Sequence, residues 1–87
     1  MTRKEITIQL DSGLETRPVA LLVQVASQYD SDIYIESDNR NINAKSIMGM
    51  MALGLVPGEN VIISANGTDE ARAIDGIEAY LTQKKVN

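Results

Sequence analysis

The chain has 87 residues, a length that predicts one domain, residues 1–87. Of these residues 44% are hydrophobic and 23% charged, which is the composition of an ordinary globular protein. Its 8 basic and 12 acidic residues give a net charge of −4, which argues against a nucleic-acid partner because phosphate binding needs clustered Lys and Arg. Cys and His are both absent, which excludes disulfides, thiolate metal sites and the commonest general base.

The N-terminal third of the chain predicts a strand followed by a helix. Apolar residues alternate with polar ones, as in a half-buried strand, at Ile6, Ile8 and Leu10. Residues 11–13 are Asp-Ser-Gly, which ends this strand. From Val19 onward the apolar residues follow the spacing of one helix face, and Pro18 lies in the first turn, where its missing N–H costs nothing.

The middle of the chain predicts a β-hairpin followed by a short helix. Residues 32–37 alternate again, residues 38–39 (Asp-Asn) form a turn, and residues 40–44 are the returning strand. Residues 46–53 form the second helix, and the hydroxyl of Ser46 is suited to cap its first turn.

The C-terminal third predicts a β-branched strand over residues 60–65 and a last helix capped by Thr68. The inner stripe of this helix comprises Ala71, Ile74, Ile77 and Leu81. The order of elements is therefore β-α-β-β-α-β-α. This order is typical of an α+β fold with an antiparallel sheet and helices on one face.

A turn that carries Glu15 and Arg17 leads into the first helix, in the stretch SGLETRPVA. A carboxylate at a helix start is favoured by about 0.3–1 kcal/mol, so the plainest interpretation is a capped surface helix with one ion pair. A catalytic carboxylate would need a second titrating group nearby, and the sequence shows no obvious partner. Arg17 is placed either to screen Glu15 or to bind an outside anion.

The second helix, in the stretch NAKSIMGMMALGL, is more apolar than a short helix needs for its own core. We expect the core to take Ile47, Met50 and Leu53. The apolar side chains that remain, which form an adaptable contact patch, are Met48, Met51 and Leu55. Two interpretations stay open: Ser46 is a plain N-cap beside core methionines, or it is a phosphorylation site beside a contact patch.

Together, SGLETRPVA and NAKSIMGMMALGL resemble two motifs of the HPr family of the bacterial sugar phosphotransferase system. The first is similar to that family's phosphocarrier turn, Gly-Leu-His-Ala-Arg-Pro-Ala, and the second to its regulatory segment, Ala-Lys-Ser-Ile-Met-Gly. The resemblance covers the chain from about Lys4 to Leu81. It implies the family's open-faced β-sandwich, an α+β fold in which three helices lie on one face of a four-stranded antiparallel sheet.

The resemblance also implies that this chain does not carry phosphate for sugar uptake. Family members use a histidine to accept and pass on phosphate, and Glu15 stands at its position. A glutamate would form only an acyl phosphate, and its charge repels an incoming phosphoryl group. Thr16 departs from the family's alanine as well, which favours natural divergence over a single engineered change.

The regulatory half of the family pattern is intact. In the family, the serine that matches Ser46 is phosphorylated by HPr kinase/phosphorylase, and the product acts as corepressor with catabolite control protein A, a LacI-type repressor. The partner-binding face implied by the same matching consists of Arg17, Ile47, Met48, Gly49 and Met51, with the glycine keeping the helix surface low. The chain most resembles the catabolite-repression variant of HPr, which likewise lacks the histidine and keeps the serine.

We therefore expect a non-enzymatic regulatory protein of carbon catabolite repression, without metal, cofactor or membrane partner. The start, MTRKEITIQL, lacks the apolar segment of a signal peptide, so we expect a cytoplasmic location. Two alternatives stay open: an HPr phosphocarrier whose histidine has been replaced, and a structural or small-ligand-binding domain that is not phosphorylated. The sequence also leaves open a monomer or a strand-exchanged homodimer, a form found in the variant branch.

Overall fold

The computed structural model describes residues 1–9, 16–53 and 58–82, but not the side chains of residues 16–18. Across these residues seven elements follow one another in the predicted order β-α-β-β-α-β-α. They are β1 (Thr2–Thr7), α1 (Thr16–Ser27), β2 (Asp32–Ser37), β3 (Arg40–Asn43), α2 (Ile47–Leu53), β4 (Asn60–Asn66) and α3 (Glu70–Leu81).

The strands form one antiparallel sheet in the order β1-β4-β2-β3. Alternate residues of a strand share a face, and the register places Ile6 beside Val61 and Ile35 beside Ile63 on the buried face. The helices cover this face: α3 packs on β1 and β4, α2 packs on β3, and α1 packs on α2 and α3. The opposite face carries Tyr34, which is 38% exposed. The predicted open-faced α+β sandwich is confirmed.

The core between the sheet and the helices is aliphatic. Its buried side chains are Ile6, Ile8, Val19, Leu22, Ala26, Ile33, Ile35, Ala44, Met50, Val61, Ile63, Ala65, Ala73, Ile74, Ile77 and Leu81. Alternation along the strands and helical spacing along α1 and α3 supply nearly all of these residues. The second helix contributes a single buried side chain, Met50, so its seat on the core depends on that residue.

The first strand lies earlier in the chain than the alternating pattern predicts. It runs over Thr2–Thr7, and Ile8 is buried just beyond its end. The Ile8 N–H donates to the Glu59 carbonyl over 2.9 Å, and the Ile8 carbonyl accepts from the Gly58 N–H over 2.7 Å. Leu10, the last residue of the predicted strand, lies outside the described residues.

The β2–β3 hairpin turns where the sequence predicts it. Asp38 and Asn39 have φ angles of 50° and 65°, the pair of positive values that a two-residue hairpin turn requires. Short polar residues tolerate this left-handed region better than most, because their side chains bond locally. The turn pairs Ser37 with Arg40 and so sets the register of β3.

The start of α3 differs from the prediction. The helix begins at Glu70, so its N-cap position is Asp69 and the predicted cap at Thr68 is wrong. Ala71 is exposed and Ala73 is buried in its place. The reason is geometric: Ala73 and Ile74 lie at the two edges of the buried arc of the helix, whereas Ala71 falls outside that arc.

The carboxylate of Asp69 does not cap its own helix but holds the loop that follows α1. It accepts hydrogen bonds from the Ser31 hydroxyl and from the backbone N–H groups of Asp30 (2.8 Å) and Ser31 (3.0 Å). These hydrogen bonds lower the pKa of the Asp69 carboxyl, and the bond from the Ser31 hydroxyl has the largest effect. Gly67 makes this approach feasible, because a Cβ there would lie 2.7 Å from the Ser31 Cα.

Acid should weaken this fold partly through Asp69. A carboxyl whose pKa is depressed on folding contributes stability above its ordinary value of 3.8, and this contribution is lost as the pH falls through the lower folded value. Asp69→Asn should lower the melting temperature near pH 7, since its amide presents a donor to groups that are themselves donors. It should also flatten the fall in melting temperature as the pH is lowered below about 4, measured by circular dichroism.

The matched control is Asp75→Asn, an exposed carboxylate of α3. The control should leave the neutral-pH melting temperature unchanged. Superimposable curves for Asp69→Asn and the unmodified protein would show that these hydrogen bonds add nothing to stability.

Candidate functional site

The residues predicted to carry function converge on α2, a helix of 7 residues that is too short to be stable by itself. Met50 fixes it to the core with no exposed surface, and the half-buried Leu53 packs beside it. These two core predictions are confirmed. Contacts at its two ends and on its underside, together with the packing of α1 against it, determine which of its side chains reach solvent.

Ser46 caps the start of α2, as predicted. Its hydroxyl oxygen accepts the Gly49 N–H at 3.2 Å, and its carbonyl accepts the Met50 N–H at 2.9 Å. Its own N–H donates to the Asn43 carbonyl at 3.0 Å, so the residue is fixed to the end of β3. The half-buried hydroxyl therefore stands at the positive end of the helix, where negative charge is favoured.

Lys45 and Arg40 support the two ends of α2, and neither was expected from the sequence. The Lys45 ammonium donates to the Tyr29 carbonyl at 2.6 Å, which ties the approach to α2 to the loop after α1. The Arg40 guanidinium reaches from β3 and donates to the Ala52 carbonyl at 3.1 Å, in the last turn of the helix. A cation at this end also suits the helix dipole. No local signal reveals these two roles, because each partner belongs to a different element.

Gly49 lies on the underside of α2, against β3. A Cβ at this position would lie 2.8 Å from the Cγ2 methyl of Ile42 and 3.2 Å from the Ser46 hydroxyl oxygen. The glycine thus lets the helix approach the sheet closely and leaves the Ser46 cap in place. It was predicted as part of the partner-binding face, and the structure gives it this spacing role below that face.

Three large apolar side chains of α2 face solvent: Ile47 is 45% exposed, Met48 81% and Met51 50%. We call these three residues the apolar patch. The prediction that Ile47 belongs to the core is wrong, because Ile47 lies one turn before Met51, on the side away from β3. The patch begins immediately after Ser46, so the hydroxyl and the apolar surface are adjacent.

Only part of the stretch SGLETRPVA lies within the described residues. Arg17 lies in the first turn of α1, whose packing against α2 places the two helices side by side. Glu15 and Leu55 lie outside the described residues, as does the side chain of Arg17. Across the part of the chain that the structure describes, no group of acidic residues is placed to hold a metal ion, and no helix is long and apolar enough to cross a membrane.

The sequence profile described as the PTS HPr component phosphorylation site matches residues 2–83. This chain belongs to the HPr family. The HPr-like protein Crh of Bacillus subtilis is 39% identical to it over 84 residues, which are 97% of this chain and 99% of Crh. The resemblance stated from the two motifs is thereby confirmed over nearly the whole length.

Solved structures of the HPr family agree with this assignment. A phosphocarrier protein HPr from Bacillus anthracis superposes with a TM-score of 0.87 at 40% identity, covering 92% of this chain and 95% of its own. A crystal structure of Bacillus subtilis Crh, described as a swapped, intertwined dimer, superposes with a TM-score of 0.76 at 38% identity over the full length of both chains. Relatives at similar identity thus include a phosphate carrier and a catabolite-repression protein.

The close approach of Gly49 to Ile42 predicts an unusual response to Gly49→Ala. In an open helix this change stabilises by about 1 kcal/mol, but overpacking costs about 1–3 kcal/mol. We therefore expect a net loss of stability in urea unfolding. In the Ile42→Ala background, where the Cγ2 methyl is absent, the same substitution should become neutral or stabilising.

The four proteins of this double-mutant cycle separate the contact from helix propensity. An equal effect of Gly49→Ala in both backgrounds would show that the contact with β3 does not limit how closely α2 packs.

Proposed function

We propose that this protein is a regulatory member of the HPr family that acts in carbon catabolite repression and is switched by phosphorylation of Ser46. The observation that carries the proposal is the adjacency of the Ser46 hydroxyl, at the start of α2, and the exposed apolar patch. Its relatives named Crh support the regulatory assignment. In this proposal the protein is a substrate and a ligand, and it is not itself an enzyme.

The modifying enzyme in this proposal is HPr kinase/phosphorylase. The Ser46 oxygen attacks the γ-phosphorus of ATP, the bond to the β-phosphate oxygen breaks, and the hydroxyl proton leaves with ADP or the kinase's base. The product gains about −1.5 to −2 charge and three acceptor oxygens beside the first N–H groups of α2. This position favours negative charge, so the phosphate has no reason to unfold the helix.

Several contacts hold α2 independently of the Ser46 hydroxyl. They are the burial of Met50, the packing of Gly49 on Ile42 and the hydrogen bond from Arg40 to Ala52. Phosphorylation should therefore change the charge of the surface and not its shape. A partner would then recognise an anion and an apolar patch side by side on a fixed platform.

The partner in this proposal is catabolite control protein A, for which the phosphorylated protein acts as corepressor. A charge-assisted hydrogen bond from its Arg or Lys to the phosphate contributes about 1.5–3 kcal/mol, or about ten- to a hundredfold in affinity. The apolar patch supplies contact area, since Met side chains repack easily against a partner. Arg17, in the first turn of the neighbouring α1, is the residue of this chain proposed to complete the face.

Calorimetry with the repressor tests the switch directly. The protein phosphorylated by the kinase should bind about ten- to a hundredfold more tightly than the unmodified protein. Ser46→Ala should take no phosphate and show no tightening. Met48→Lys should be phosphorylated but bind at least about tenfold more weakly, because a charge replaces an apolar contact.

Tyr34→Lys is the matched control for Met48→Lys, since it changes an exposed large side chain on the opposite, open face of the sheet. Both variants should stay within about 0.5 kcal/mol of the original stability, as exposed substitutions usually do. Equal affinities of the unmodified and phosphorylated proteins would mean that Ser46 is only a helix cap, and the proposal would be abandoned.

Glu15 generates a second expectation, which addresses the phosphocarrier alternative. A carboxylate does not replace imidazole as a phosphate carrier, so the protein should take no acid-labile label from phosphoenolpyruvate and the general phosphotransferase enzyme. Glu15→His should restore labelling if the turn keeps the family's geometry. Label that depends on Glu15 itself would show that this protein is a carrier. The HPr from Bacillus anthracis serves as the positive control.

A further inference from the structure

The four methionines of this chain differ sharply in exposure. Met48 is 81% exposed, Met1 77% and Met51 50%, whereas Met50 is completely buried. The chain contains no Cys, so these thioethers are its only sulfur atoms. Peroxides oxidise methionine to its sulfoxide, and exposed side chains react before buried ones. We therefore expect an oxidant to reach the exposed methionines of the apolar patch, Met48 and Met51, and not Met50, which is buried in the core.

We infer that Met48 and Met51 form a reversible oxidation site that switches off the contact made by the apolar patch. The thioether sulfur attacks the terminal oxygen of a hydroperoxide, an S–O bond forms and the O–O bond breaks. The sulfur is oxidised to a sulfoxide, and the peroxide is reduced to water or an alcohol. A methionine sulfoxide reductase reverses the step, taking its electrons from a dithiol that becomes a disulfide and releasing the oxygen as water.

The fold should tolerate this modification because Met48 and Met51 are not part of the core. The side chain that joins α2 to the core is Met50, whose sulfur is shielded. The caps of the helix are a serine hydroxyl and an arginine, and neither reacts with mild peroxide. The oxidised protein should therefore keep α2 folded, with a changed surface.

Partner binding should not tolerate the modification. The sulfoxide oxygen is a strong acceptor that is hydrated in the free protein. In an interface built on an apolar patch it loses that water without a matching donor, which is unfavourable. This step rests on the proposed function, since it takes the patch as the repressor-binding surface. Ser46 phosphorylation would then strengthen the contact, and oxidation of the adjacent residues would remove it.

Mass mapping after exposure to hydrogen peroxide tests the site without any partner. Among the three methionines of α2, sulfoxide should form fastest at Met48, next at Met51, and at Met50 only under conditions that unfold the protein. Met1 gives an exposed reference rate within the same chain. The melting temperature of the oxidised protein should be nearly unchanged, and a methionine sulfoxide reductase with dithiothreitol should restore the original mass. Oxidation of Met50 at the rate of Met48, or unfolding on oxidation, would overturn the inference.

Calorimetry of the Ser46-phosphorylated protein with the repressor, before and after peroxide, tests the switch. Oxidation should raise Kd at least about tenfold, which is about 1.4 kcal/mol, and the reductase should restore the original value. In a Met48→Leu, Met51→Leu double variant, the ratio of Kd after and before peroxide should be about 1 whatever its starting affinity, since leucine conserves volume but has no sulfur.

The two proposals fail in different ways. Tight binding that peroxide does not change overturns the oxidation switch and leaves the proposed function intact. Failure of the unoxidised phosphoprotein to bind more tightly than the unmodified protein overturns the proposed function, and the switch with it.

Discussion

The burial of Met50 is the constraint that determines how α2 is oriented and which of its side chains are exposed. A helix of 7 residues is not stable alone, and this is the fully buried side chain through which it joins the core. Helix geometry then fixes the directions of its neighbours. With Met50 inward and Gly49 against the sheet, Ile47, Met48 and Met51 have no direction left except toward solvent. The exposed patch is thus a consequence of packing, and the core determines its position while its Met side chains stay free to repack.

Groups from other parts of the chain hold both ends of that platform. Arg40 reaches the last turn of α2 from β3, and Lys45 joins the approach to the helix to the loop after α1. The same loop is held from its other side by the carboxylate of Asp69, just before α3. The three helices therefore share one small hydrogen-bonded region. A charge added at Ser46 by the proposed phosphorylation would therefore meet a support that is already fixed, and it would change the chemistry of the surface more than its shape.

Local signals predicted the elements of this fold, and long-range contacts account for what they missed. Alternation, helical spacing and two turn residues of the hairpin lie within a few positions of one another, so the sequence displays them directly. The cap at Ser46 is equally local. Spacing alone does not define the edge of a buried stripe, and for this reason it predicts core positions for Ile47 and Ala71, which are exposed. The roles of Arg40, Lys45 and Asp69 depend on partners 12 to 39 positions away. No spacing rule reaches that far.

Charge limits what the proposed switch can recognise. The chain carries a net charge of −4 before any modification, and phosphorylation makes it more acidic. If the protein acts as the proposed corepressor, its charge is repelled by DNA, so it would gain no affinity from the nucleic acid to which a repressor binds. Its affinity for a partner has to come from protein contacts. Among the described residues, the apolar patch has the largest exposed apolar side chains beside Ser46 on the surface of a helix. By the same reasoning, the proposed oxidation of Met48 would oppose the proposed phosphorylation although it adds no charge, because it acts on the area of contact. Without that contact, the phosphate would be one more negative charge on an acidic protein.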